Sequence, residues 1–538
     1  FYQASERVFR RIIDFYDRTL TWVLRHQTAT LWVAVATLAS TVLLYLAIPK
    51  GFFPVQDTGV ILGISEAPQS VSFPAMAERQ QALARVILAD PAVQSLSSFI
   101  GIDGTNTTLN SGRIQVNLKP LEQRRTSASD VIRRLKPELA KVDGIQLYLQ
   151  PVQDLTVEDR VSRTQYQYTL ESADGQALAE WVPKFVNRLQ DIPQLHDVAS
   201  DLQESGLQAN LVLDRATASR LGITPQVLDD ALYDAFGQRQ VSTMFTQLNQ
   251  YHVVLEAKPG MVQRPEDLQT IFVHSTSGGS VPLSAFTRLE IDHTPLAVNH
   301  QGQFPVATVS FNLAPGTSLG QAVQAIQQVE AKSDMPPGIR GAFQGTAQAF
   351  GQSLKNTPFL ILAAVLTVYI LLGVLYESYI HPITILSTLP SAGVGALLSL
   401  MLCRTDFSVI ALIGIILLIG IVEKNAIMMI DFALEAERKE GKSAPEAIYQ
   451  ACLLRFRPIV MTTMAALLGG VPLALGTGVG AELRRPLGIA IVGGLIFSQV
   501  LTLYTTPVIY LAFDRLSKRI LKRREAAEPD RAPDLGTP

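Results

Sequence analysis

The residues most able to do chemistry lie where charge is least expected. The apolar run 407–430 contains Gly420-Ile421-Val422-Glu423-Lys424-Asn425-Ala426-Ile427. A charge within a hydrocarbon layer costs upward of ~2.5 kcal/mol, so a lysine there faces protein or water and serves a function. Lys424 lies seven residues before Asp431, which closes its run. Thr462 lies seven residues after Arg455, which opens the next one. At ~1.5 Å per residue, both sit about 10 Å inside the membrane edge. Antiparallel neighbours therefore bring Lys424 and Thr462 to one level. Asp431, at i+7, shares the Lys424 face two turns away, whereas Glu423 points ~100° around the helix from it. Snorkelling at an interface is the competing reading. The functional reading prevails for Lys424, and for Glu423 both stand. A buried lysine needs a carboxylate whose protonation can change, and no other apolar run offers an acid at this depth.

The elements that must position these residues are membrane spans. Residues 28–48 carry no charge and can cross a ~30 Å hydrocarbon core. This run is too long for a signal-peptide core. Further runs at 357–376, 383–403, 407–430, 459–475 and 487–513 bring the count to six. In residues 1–26, apolar Val8, Ile12, Phe15, Leu20 and Trp22 interleave with Arg7, Arg10, Arg11, Arg18 and Arg25, as in a helix lying in an interface. Basic residues in this segment, in the loop 435–458 and in the tail 515–538 put all three in the cytoplasm. The large polar insert then lies outside. The loop 476–486 breaks the rule, because it should be external yet holds Arg484 and Arg485.

Composition agrees. The 538 residues carry 45 Lys+Arg against 47 Asp+Glu, a formal charge of −2, and only 17% are charged against about 25% in soluble chains. The pI of 6.4 and this near-balance exclude a nucleic-acid binder. Two cysteines, Cys403 and Cys452, exclude a disulfide framework and the usual tetrahedral zinc site. Histidines 26, 196, 252, 274, 293, 300 and 381 lack metal-ligand spacing. There is no P-loop, G-x-S-x-G or H-E-x-x-H. The sequon at Asn106 is a weak match in a polar loop. Gly393/Gly395, Gly469/Gly470 and Gly493/Gly494 are expected to let helices pack closely.

The insert reads as strand–helix–strand units. Strands at 60–65, 93–100, 113–118 and 145–149, with helices at 73–88 and 127–139, give a β-α-β-β-α-β order. A Gly/Asn/Thr loop spans 101–112. A second unit begins with strand 165–171, helix 178–189 and strands 196–203 and 208–213. A β-rich stretch, 237–293, interrupts it. The unit then resumes with strand 303–313, helix 319–331 and strand 339–345. The expected fold is a six-helix α-helical transmembrane bundle plus an α+β region of two split βαβ (ferredoxin-like) subdomains, the second with an insertion.

IPKGFFPVQDTG (48–59), LYESYIHP (375–382), GIVEKNAIMMIDFA (420–433), LRFRPIVMTT (454–463) and GAELRRP (480–486) carry a resemblance. The chain resembles the C-terminal half of a resistance-nodulation-division (RND) efflux permease, essentially end to end. SRTQYQYTL (162–170) and ALYDAFGQRQVST (231–243) resemble one multidrug branch of it.

This resemblance implies a proton antiporter rather than an enzyme, with no cofactor beyond the proton gradient. It implies the last six of twelve helices in the inner membrane, with both ends of this chain cytoplasmic. A cytoplasmic helix would span 1–27, the first transmembrane helix 28–48, five more 357–514, and a basic tail 515–538. Porter subdomains would span 49–150 and 151–236 plus 296–356, with a docking insertion at 237–295. The family's proton-relay lysine, threonine and arginine map onto Lys424, Thr462 and Arg455. Glu423 and Asp431 become electrostatic modulators. The substrate-path loop maps onto 101–112; related pumps line the pocket around it with several phenylalanines, whereas here Phe99 is the nearest, followed by Ile102, Gly104 and Gln115. The implied partners are an N-terminal half carrying paired aspartates, related subunits in a homo- or heterotrimer, a periplasmic adaptor, an outer-membrane channel, membrane lipid and small-molecule drugs. The alternatives are an exporter of lipid or protein, or a non-transporting membrane scaffold. A metal pump would be expected to carry Met/His/Cys clusters in the insert, and none is present.

Overall fold

The computed structural model describes residues 2–101, 108–157, 161–258, 260–261 and 264–527. Helices α1 (Tyr2–Arg25) and α2 (Gln27–Ala47) are separated only by His26. α1 is docked on the bundle through Tyr16, Leu20 and Val23, spaced i, i+4, i+7. Tyr16 stacks on Phe456 with ring centroids 4.5 Å apart, and donates its hydroxyl to the Leu503 carbonyl at 2.9 Å. Of the apolar residues expected at an interface, Leu20 is instead buried against protein, while Ile12, Phe15 and Trp22 are exposed. Two adjacent apolar stripes explain the split: one meets the bundle and the other does not.

The first α/β unit comprises β1 (Val60–Glu66), α3 (Phe73–Leu88), β2 (Val93–Ile100), β3 (Ser111–Leu118), the short α4 (Leu121–Arg124), α5 (Ala128–Leu139) and β4 (Gln146–Pro151). Its sheet is antiparallel throughout, in the order β2-β3-β1-β4, with Ile61 opposite Val116. Alternation turns Ile61, Ile114 and Val116 to one face. Met76, Leu83 and Ile87 of α3 and Val131, Leu135 and Leu139 of α5 cover them there. Ser127 and Asp130 close a capping box that starts α5.

The second unit follows as β5 (Tyr166–Glu171), α6 (Gly175–Gln190), β6 (Leu195–Ser200), β7 (Gly206–Leu213), α7 (Arg215–Arg220), α8 (Pro225–Phe236), β8 (Arg239–Phe245), β9 (Gln250–Leu255), β10 (Phe272–His274), β11 (Ser280–Pro282), β12 (Thr287–Thr294), β13 (His300–Gln301), β14 (Phe304–Leu313), α9 (Leu319–Lys332) and β15 (Arg340–Gln344). Its sheet runs β13-β14-β5-β15, with β6 also on β14. The core joins Tyr168, Leu170, Val309 and Phe311 to Val182, Phe185 and Ile326.

One strand is not where the sequence put it. The segment 208–213 was expected in this sheet, but β7 pairs with β12 in a separate ribbon, from Gly206 opposite Thr294 to Leu213 opposite Thr287. An exposed, unpaired strand finds its partner wherever the chain returns, and here it returns at 287. Helices α7 and α8, also unanticipated, carry N-cap signals. Asp214 accepts from the Ala216 and Thr217 amides, and Thr224 accepts from that of Val227.

Among the described residues, six helical spans are long and apolar enough to cross a membrane: α2, α10 (Gly345–Tyr376), α11 (His381–Leu386) with α12 (Leu389–Leu402) as one span, α13 (Val409–Glu440), α14 (Ala444–Ala474) and α15 (Ala481–Ala527). α10 starts twelve residues before its apolar run, directly after β15. The glycine pairs act unequally. A Cβ on Gly395 would lie 2.6 Å from the Gly493 carbonyl oxygen, and one on Gly493 would lie 2.0 Å from Ser399 Oγ. Gly469 faces open space, so it does not serve the close packing expected of it.

Candidate functional site: an intramembrane polar seam

Midway along α13, three consecutive polar residues point three ways. Lys424 is exposed, while Glu423 and Asn425 are only 4% and 5% exposed. Successive helical residues differ by ~100°, so this divergence is geometric. The exposed face of α13 runs through Ile413, Leu417, Gly420, Lys424 and Asp431, close to a 3.6 period. A second exposed apolar stripe runs along α14 through Leu454, Met461, Met464 and Leu468.

Asn425 ties the seam. Its Nδ2 donates to Thr463 Oγ1 on α14 at 2.9 Å and to Gln499 Oε1 on α15 at 3.4 Å. Equal depth puts Lys424 level with Thr462, and the bond that forms joins the next residue along each helix. Thr462 is half-buried and donates its hydroxyl to the Ile459 carbonyl at 3.1 Å. Arg455 lays its guanidinium 4.9 Å from the centre of the Phe432 ring, and its buried Nε has no hydrogen-bond partner among the described residues. Neither Lys424 nor Glu423 Oε1 has one either. The structure thus brings Asn425, Thr463 and Gln499 together, and leaves Lys424, Thr462, Arg455 and Asp431 without direct mutual bonds. Asn425 was missed because a neutral amide raises no alarm in an apolar run. Its signal was the Lys-Asn step facing a Thr-Thr pair.

In the soluble region, Phe99 is 47% exposed, with the Arg113 guanidinium 5.4 Å from its ring centre. Gln115 is exposed opposite Ser97 and Leu62 in the sheet. Ile102, Gly104 and the sequon Asn106 lie outside the described residues. Among the described residues, no group of three or more His, Cys, Asp or Glu is arranged to hold a metal ion.

A bundle of membrane-crossing helices with a β-containing soluble module inserted after the first, and a polar seam at mid-depth, describes a polytopic membrane protein. Residues 1–514 match the family model for the AcrB/AcrD/AcrF family, and the chain belongs to that family of RND permeases. Two solved structures, each described as an X-ray crystal structure of a heavy metal efflux pump (crystal forms II and I), share its fold. Both give a TM-score of 0.84, at 22% and 23% identity, over 94% of this chain. The match covers 53% and 52% of those pumps, so this chain spans about half their length.

Proposed function

We propose that the chain is the C-terminal half of a proton-driven RND permease, of the MdtB type found in MdtABC multidrug pumps. In this reading it exports drugs or other amphipathic small molecules. The observation that carries the reading is Lys424, a mid-helix cation on the exposed face of α13 with no partner among the described residues of its own bundle. Paired aspartates on an N-terminal half supply the partner. When they are ionised, Lys424 pairs with them. When they take up protons, Lys424 is released toward Thr462 and the helices shift. Arg455 and Asp431 bias that exchange from the cytoplasmic side, and Glu423 does so from inside the bundle.

The two α/β units act as ferredoxin-like porter subdomains, with Phe99, Ile102 and Gln115 beside the substrate path. The β8–β9 hairpin exposes Phe245 (79%) and Leu248 (93%), which suits docking on neighbouring subunits of a homo- or heterotrimer and its adaptor and channel. The heavy-metal substrate of the similar structures is not carried over, because likeness at 22–23% identity speaks to fold.

The test co-expresses Lys424→Ala with the complementary half. Membrane levels equal to wild type, with drug export abolished, are expected. Retained drug resistance at normal expression rejects the proposal. Sensitivity to metal ions but not to drugs in the mutant moves the substrate class to metals.

A further inference from the structure

The loop that breaks the charge rule lines a cavity of about 770 Å³. This cavity lies where four spans end together: α2 closes at Ala47, α12 at Leu402, α13 opens at Val409 and α15 at Ala481. All four points are on the face opposite the loop 435–458. The cavity is therefore at the level of lipid headgroups, between the bundle and the soluble units, with Gly316 and Thr317 of the β14–α9 turn at its edge.

Its lining is both amphiphilic and doubly charged. Phe53 and Met401 supply apolar surface, Arg404 and Arg485 two cations, and Asp406 and Glu482 two anions. None of the four charged side chains is bonded to another among the described residues. Glu482 Oε2 is buried with no hydrogen-bond partner. Arg404 holds φ at +52°, a backbone position that favours glycine, which sets its side chain just past the end of α12. Opposite charges that line one cavity without pairing leave room for a ligand that carries both. The volume is in the range of small-molecule sites.

We propose that this cavity binds the headgroup of a zwitterionic phospholipid with a primary ammonium, such as phosphatidylethanolamine. The phosphate sits on Arg404 and Arg485, and the ammonium donates to Asp406 and Glu482. A guanidinium suits phosphate oxygens. Carboxylates suit N–H donors, which a choline headgroup lacks. Burial pushes the Asp406 carboxyl above its ordinary value, and the headgroup ammonium beside it would offset that cost. The acyl chains then lie along the outer ends of the spans. Arg485, one of the two arginines that break the charge rule, thereby acquires a phosphate counter-ion.

Native mass spectrometry of the delipidated, assembled permease, titrated separately with phosphatidylethanolamine, phosphatidylcholine and phosphatidylglycerol, tests the assignment. One phosphatidylethanolamine per copy of this chain should be retained in preference to the other two. Arg404→Gly removes the cation while relaxing the backbone, so it folds at least as well as wild type. It should weaken this binding at least about tenfold, equivalent to ~1.4 kcal/mol. Asp406→Asn with Glu482→Gln should abolish the preference over phosphatidylcholine. Equal binding by Arg404→Gly and wild type overturns the proposal, as does phosphatidylglycerol binding as well as phosphatidylethanolamine. Absence of any specific adduct in wild type overturns it too.

Discussion

At the scale of single residues, the seam sets two neighbours of Lys424 in opposite energetic positions. Asn425 satisfies partners on two helices, so Asn425→Leu breaks both bonds and strands Thr463 and Gln499. Interhelical hydrogen bonds in membranes contribute about 0.6–1.7 kcal/mol. The variant should therefore lower the melting temperature of the assembled permease, read by tryptophan fluorescence, and an unchanged melt contradicts the clamp. Glu423 is the converse, because its buried Oε1 accepts nothing. Replacing an orphaned polar group by an apolar one of similar shape is nearly neutral or stabilising, so Glu423→Leu should leave the melt unchanged or raise it. A clear loss of stability would reveal an unseen partner. Lys424 was legible in the sequence because charge in an apolar run is expensive wherever it points. Asn425 and the direction of Glu423 were not, since both depend on which helix packs on which face.

Among the elements, contacts between helices decide what the glycines do. Gly493→Val places its side chain into Ser399 and the Gly395 backbone, and overpacking costs about 1–3 kcal/mol. Reduced yield of folded protein in membranes is expected, whereas Gly469→Val should express normally. The sequence showed three glycine pairs alike, because spacing does not reveal which pair meets another backbone. The β7–β12 ribbon has the same cause, since its partners are about eighty residues apart and neither strand's pattern names the other.

A second element contact is pH-sensitive. Burial opposes ionisation of Asp90. The Arg134 fork, at 2.8 and 2.7 Å, and the Ala92 amide outweigh it and hold the carboxyl below its ordinary value. A lowered folded-state value stabilises above the unfolded one, ~3.9, and that contribution is lost as pH falls through the folded value. Asp90→Asn should therefore melt earlier than wild type at pH 7 and converge with it near pH 2. A gap that persists in acid contradicts this origin.

Across the whole molecule, the proposed function requires a shift at Lys424 to reach the soluble units, and the backbone offers a direct route. β15 lies against β5 in the second unit's sheet and passes without a loop into α10, through Gly345 at φ +54°. A second tie runs through Lys50, which bridges to Phe407 just before α13 and whose carbonyl accepts from the Gly320 amide of α9 at 2.9 Å. The two units are joined by Arg163 gripping Glu66 at 2.6 and 2.9 Å and by Lys136 on Asp197 at 2.6 Å. Rigid elements with two discrete arrangements transmit such shifts, and a helix continuous with a strand is stiffer than any loop. The apolar-run boundary at 357 hid this continuity, because residues 345–356 are polar enough to read as a linker and only their helical geometry reveals the strut. Inserting Gly-Gly between Gln344 and Gly345 should soften it while leaving each sheet and span its own contacts. The expected result is normal assembly and unchanged substrate binding by fluorescence polarisation, with export reduced at least about tenfold. Such a loss would amount to ~1.4 kcal/mol in the barrier to transport. Wild-type export from the insertion mutant would assign the transmission to the backbone tie at Lys50 instead, and a Gly-Gly insertion between Lys50 and Gly51 would then be the variant that loses it.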